Sequence, residues 1–235
     1  MIRVDRAELT RNEIIRVAAN RFLNDGYSNT TVNSLSKVLG MSTGNITFHF
    51  PTKEHLLTSL VNMLCAFQWE LLKEETKEGY SPILAVCLEL MLIASACEQD
   101  EIAKDFFLSS YRSPMCLDVI RENDEERAKD VFKEYCSDWT DAQFKEAEVL
   151  VSGIEYATLT TSSDSVALEQ RVAGALDTIL SIYKVPKDIR EKKIKKVTET
   201  NYRELGLRVL KEFREYVDKT TEQALFDLLS RKSIV

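Results

Sequence analysis

The sequence predicts an all-α fold, in which a small three-helix head carrying a helix-turn-helix precedes a larger helical body. Three observations lead there. Only seven glycines and four prolines punctuate 235 residues, too few for the tight turns of a many-stranded fold. Long apolar periodicities at helical spacing run between them, and Pro82, Pro114 and Pro186 stand at helix starts, where a missing amide costs little. With 44% hydrophobic and 29% charged residues, the chain can bury one large core or two modest ones.

The first element is written in "TRNEIIRVAANRFLNDGYSNT". Thr10 followed by Glu13 reads as a capping box that opens a helix. Ile14, Ala18 and Phe22, with Ile15, Ala19 and Leu23 beside them, make an apolar stripe that Gly26 stops. A short helix follows in "TTVNSLSKVLG", capped by Thr30 or Thr31 and ended by Gly40, with Leu35, Val38 and Leu39 expected inward. "MST" then makes a tight turn: Met41 plugs the core and Ser42 caps a third helix, "TGNITFHF", which Pro51 terminates. Small Ser36 stands where two helices touch, Gly40 fills the turn and Ile46 anchors the second helix, which is the pattern of a helix-turn-helix.

Charge separates head from body. The chain carries −7 overall, yet Met1 to Thr58 holds seven basic against five acidic residues, leaving 24 basic and 33 acidic for the remainder. A mildly basic head on an acidic body fits a head that docks on double-stranded DNA. If Ile46 and Phe50 face the core, Thr43, Asn45, Thr47, Phe48 and His49 occupy the other faces, as short or flat groups suited to phosphates and base edges. Thr31 and Ser42 flank them at the caps. Lys53, first residue of a fourth helix behind Thr52, puts an ammonium at the positive end of that helix, a seat for a DNA phosphate.

The run "TTVNSLSKVLGMSTGNITFHFPTKEHLL" resembles the DNA-binding domain of the TetR (tetracycline repressor) family: paired threonines, a first helix ending in Gly, Ser-x-Gly opening the recognition helix, His-Phe closing it, then Lys-Glu and Leu-Leu. The resemblance covers about residues 8–60. The family commonly places tyrosine where this chain has Thr47, and often a basic residue where it has Pro51. The resemblance implies a homodimer whose two recognition helices enter successive major grooves of a palindromic operator. It also implies a body that binds a small-molecule effector and signals to the head through the fourth helix.

On this reading the head is 1–51 and the ligand-binding and dimerisation body 52–235, with a C-terminal helical extension from about 185. Body helices are expected at about 52–77, 82–98, 100–112, 114–136, 140–161 and 165–183, then a long region from 187 onward. The resemblance assigns dimerisation to the last two main helices, where Val172, Leu176, Ile179 and Leu180 form a stripe and Gly153 and Ala157 permit close contact; a plain internal core explains the same stripe. Pocket candidates are Phe67, Met91, Phe107 and Tyr111, with Trp69, Phe106 and Trp139 beside them, and the acidic body leans toward cationic or neutral apolar ligands.

Other function classes find little support. The two histidines, His49 and His55, both lie in the head, so the body has no histidine-based triad or zinc site, and glycine-rich phosphate loops are absent. The chain is therefore read as a regulator and not an enzyme, without cofactor or metal. The run "RENDEERAKD", Arg121 to Asp130, reads as a solvated helix face and the basic run "KVPKDIREKKIKK" likewise. Five cysteines, with no Cys-x-x-Cys, read as buried reduced thiols. No apolar run approaches the roughly 20 residues of a membrane span and no signal-peptide core precedes the head, so a cytoplasmic protein is expected. The competing reading is an architectural or constitutive DNA-binding dimer with no ligand, which a sealed core would favour.

Overall fold

The structure, a computed structural model, describes residues 6–77 and 81–230. The first and last five residues of the predicted head and extension lie outside the described residues. Eleven helices and no strand occur among those described. The head contains α1 (Arg6–Asn24), α2 (Val32–Leu39) and α3 (Thr43–His49); α4 (Lys53–Lys77) leads into the body. The body adds α5 (Pro82–Gln99), α6 (Glu101–Arg112), α7 (Pro114–Phe132), α8 (Asp141–Thr160) and α9 (Leu168–Ile182), and the chain finishes with α10 (Lys187–Thr198) and α11 (Tyr202–Ser230).

Local chemistry explains the boundaries. Thr31 and Ser34 satisfy each other's backbone amides in a capping box at the start of α2, and Ser42 accepts from the amide of Asn45 at the start of α3. Gly40 closes α2 at φ 63°, a left-handed conformation that costs glycine nothing. Ser81 and Ser113 cap α5 and α7, with Pro82 and Pro114 in the first turn of each.

Two head expectations need correction. Helix α1 begins at Arg6, not Thr10: the Thr10 hydroxyl donates to the Arg6 carbonyl 2.9 Å away, inside a helix already running. Val38 is 50% exposed, because only Leu35 of α2 reaches the core that Ile14, Phe22 and Ile46 fill, and Leu39 packs at its margin.

Helix α5 is the most deeply embedded element. It is apolar and long enough to cross a membrane by length and composition, contrary to the sequence reading, but 67% of it is buried inside the protein and it packs against α6, α9, α10 and α11. Its apolar surface is thus spent on the core. The region from 187 onward divides at Thr200–Asn201 into two helices. Helix α11 runs back along α5 and reaches α1 of the head, so the C-terminal extension braces both parts. All five cysteines are buried and unbridged, and burial pushes the thiols of Cys65, Cys87 and Cys97 up to about 12, where they are inert.

Candidate nucleic-acid interface and body cavity

Helix α3 has one buried residue, Ile46, and Phe50 behind it stays in the core at 1% exposure. Ser42, Thr43, Gly44, Asn45, Thr47 and Phe48 are all exposed. Phe48 is 78% exposed, an apolar ring with no duty in the protomer, and the His49 ring meets it edge-on at 5.2 Å. Thr47 ties its hydroxyl back to the Gly44 carbonyl at 3.2 Å, while Asn45 offers a free-standing amide. Short polar groups and one flat apolar ring are what base edges and thymine methyls in a major groove accept.

Two cations brace the head, one at the end of α3 and one at the α1–α2 turn. Arg11 donates to the His49 carbonyl at 3.2 Å and lies 4.3 Å from the centre of the Phe50 ring, pinning the end of α3 to α1. Lys53 donates to the carbonyls of Tyr27 and Thr30, each at 2.9 Å, and sits 4.0 Å from the Tyr27 ring centre. Burial pulls its ammonium below the usual lysine range. Two of its three donors thereby lock the α1–α2 turn, a structural task the sequence did not reveal. Among the remaining candidates, Thr31 is exposed with its hydroxyl engaged in the cap, and His49 is half-buried.

Head and body meet at specific polar contacts. Asp105 of α6 accepts from the Ser28 amide at 2.7 Å and from its hydroxyl, and Glu54 of α4 accepts from Ser113 at the start of α7. These contacts tie α6 to the α1–α2 turn and the start of α7 to the first turn of α4.

The body contains a cavity of about 70 Å³, walled by α4 to α9. A second, of about 60 Å³, lies between α4, α5 and α11 and shares Leu64, Gln68, Glu89, Ile93 and Phe107 with the first. Of the pocket candidates, Phe107 lines both, Tyr111 the first and Phe67 the second; Met91 lines neither and is core at 0% exposure. Phe106 is core too, and Trp139 packs on Phe144 and Tyr183.

The larger correction concerns charge. Asp124, Glu125 and Arg127 fall in the run read as solvated, yet Glu125 and Arg127 are each 6% exposed and Asp124 and Arg127 line the cavity. Arg127 engages Glu89 through both terminal nitrogens and stands 3.6 Å from Asp124. Burial works against that charge, but the two carboxylates hold the guanidinium above its usual range. Tyr111 donates to Glu155 at 2.8 Å and Tyr183 donates to Glu148. Burial pushes Asp124 up to about 6 and Glu148 up to about 8, and drives Glu155 well above the carboxylate range. The signal was present: Ile120, Asp124, Arg127, Ala128 and Val131 recur at helical spacing, which puts both charges on the apolar face.

The predicted dimer stripe lies inside the protomer. Val172, Leu176, Ile179 and Leu180 are between 0% and 4% exposed within one protomer, and the last three line the cavity. Gly153 and Ala157 are exposed on α8, next to Val149 and Leu150 at 52% and 55% exposure.

The head is thus a helix-turn-helix with α3 facing outward, set on an all-α body that contains a cavity. Residues 14–60 match the family described as "Bacterial regulatory proteins, tetR family". That match covers the head, so residues 14–60 are similar to the DNA-binding region of that family. It is 36% identical over 53 residues to the HTH-type transcriptional regulator QacR of Staphylococcus aureus, a stretch that is 23% of this chain and 28% of that protein. The matched segment thus spans under a third of that relative's length. Among solved structures, the TetR-family protein CprB from S. coelicolor A3(2) is similar with TM-score 0.45 and 22% identity, covering 83% of this chain and all of that one. A gamma-butyrolactone receptor, described as ArpA-like, gives TM-score 0.44 and 22% identity over 88% of this chain and all of that one.

Proposed function

We propose that this chain is a homodimeric, sequence-specific DNA-binding repressor that a small molecule in the body cavity releases from a palindromic operator. The observation carrying this reading is the outward face of α3: Thr43, Asn45, Thr47 and Phe48 do nothing for the core and present short polar groups and one ring of the kind base edges accept. The cavity favours ligand release over constitutive binding. Its wall includes Leu64 and Gln68 of α4, the helix whose first residue holds the α1–α2 turn, so a guest that displaces α4 re-aims the head. In the dimer, the exposed apolar and small residues of α8, Val149, Leu150, Gly153 and Ala157, supply the contact in place of the buried α9 stripe.

Two substitutions separate the roles in the head. Lys53→Ala is expected to weaken binding to every duplex and to lower the slope of log affinity against log salt by about 1. Asn45→Ala is expected to cost about 1–3 kcal/mol at one base position and to relax preference there. Fluorescence anisotropy on a matched set of duplexes reads both. Unchanged salt dependence in the first variant removes Lys53 from the phosphate contacts, and a uniform loss in the second contradicts base readout by Asn45.

A further inference from the structure

A groove of about 550 Å³, far roomier than either body cavity, opens between the first turn of α5, the C-terminal end of α7 and one side of α10. Three lysines of the basic run on α10 line it, Lys192, Lys193 and Lys196, and Lys133 adds a fourth ammonium from the end of α7. Two carboxylates, Asp130 and Glu134, stand against them, so the groove is locally positive on a chain whose net charge is −7. Lysines three and four residues apart repel along a helix, so helix formation does not call for this crowding. Lys192 reaches Asp188 only at 3.9 Å, with both side chains exposed. Lys193 is half-buried and donates to the Ser81 hydroxyl at 2.6 Å, which fixes its ammonium beside the start of α5. That helix end supplies a further donor. Pro82 has no amide, the Leu84 amide goes to the Ser81 hydroxyl at 3.3 Å, and the Ala85 amide to the Ser81 carbonyl at 3.1 Å. The Ile83 amide finds no acceptor among the described residues, and Ile83 lines the groove. An open amide at the positive end of an 18-residue helix favours an anion. Tyr135 and Ile189 give the same groove an apolar side.

We propose that this groove is a second ligand site, which takes a small organic anion made of a phosphate or carboxylate group on an apolar frame. Lys192, Lys193, Lys196 and the Ile83 amide receive the charged group, and Tyr135 and Ile189 hold the frame. The site is separate from the cavity between α4 and α9 and does not depend on the repressor reading. Its place in the fold sets it apart from a second DNA contact. Helix α4 starts in the head, its 25 residues run roughly 37 Å, and Ser81 follows four residues after its end. The groove therefore opens at the end of the body remote from α3, away from the phosphates of any duplex the head holds. Helix α10 packs on α5 and α9, so an anion shared by α10, the start of α5 and the end of α7 ties three elements together. A ligand that binds only this folded arrangement raises the unfolding midpoint.

The test is calorimetric titration of the full-length protein, without DNA, with 2-naphthyl phosphate and with its uncharged counterpart 2-naphthol. The phosphate ester is expected to bind at least about tenfold tighter than the naphthol, to weaken as salt rises, and to raise the thermal unfolding midpoint. Lys193→Met, which keeps the apolar stem, and the double variant Lys192→Gln with Lys196→Gln should each erase most of that preference and leave naphthol binding as it was. The double variant alters two exposed side chains, so its own unfolding midpoint without ligand should stay near that of the parent and show that the fold is intact. Equal binding of the two probes, or no binding of the ester at millimolar concentration, overturns the proposal. Full preference for the ester in both lysine variants overturns it too, because the anion is then held elsewhere on the protein.

Discussion

Replacing Arg127 by alanine is expected to destabilise the free protein by about 3–5 kcal/mol at neutral pH, the range seen when one partner of a buried ion pair is removed. For a chain of this size that is a fall in the unfolding midpoint of roughly 10 °C. The guanidinium, 7% exposed, is the cation that Glu89 and Asp124 share, and without it four carboxylates face one another across a cavity of low polarity. The sign of the pH dependence follows. Asp124, Glu148 and Glu155 already hold protons more tightly folded than unfolded, so between the ordinary carboxylate range and their raised values the native state binds the extra protons. Stability then falls as pH rises through that window. Losing Arg127 steepens the fall, and the variant should be markedly more stable near pH 5 than near pH 8. Denaturant midpoints at the two pH values measure it. A loss below about 1 kcal/mol, independent of pH, would mean that water reaches these carboxylates and screens them.

Gly206→Val is expected to cost roughly 3 kcal/mol, the upper part of the range for overfilling a packed core. A Cβ at this position would lie 2.8 Å from the Leu92 carbonyl oxygen of α5, and the obstacle is backbone that cannot swing aside. Helix α11 would have to lift from α5, and because it also packs on α1 and closes the second cavity through Gly206, Leu210 and Phe213, the head loses its brace. Even Gly206→Ala, which gains about 1 kcal/mol of helix propensity, should show no net stabilisation. Thermal unfolding of the two variants checks this; a higher midpoint for alanine would show that the helices part easily and that α11 is a passive appendage.

How much of this was legible depended on what kind of force places each residue. Caps and breakers act locally, so Thr31, Ser42, Gly40, Pro82 and Pro114 marked their helices in the sequence, and most body helices begin and end within a few residues of expectation. The outward display of Asn45 and Phe48 was legible too, because Ile46 and Phe50 alone on that short helix are apolar and inward. Illegible were choices made by tertiary packing. Periodicity shows that Val172, Leu176, Ile179 and Leu180 share a face, but not whether that face meets its own protomer or a second one. The charged run at Arg121 to Asp130 looked solvated because its neutralising partner, Glu89, lies on α5, 38 residues away from Arg127. Lys53 looked like a free cation because its acceptors are backbone carbonyls, which no residue type announces.

The most direct test of the account is selection of bound sequences from random duplex DNA by the purified full-length protein at moderate salt, read by sequencing. Enrichment of a palindromic motif is predicted, with half-sites spaced to put two copies of α3 in successive major grooves about 34–36 Å apart. Sequences no different from the input pool, bound only as low salt allows, would contradict the claim that α3 of this chain reads bases.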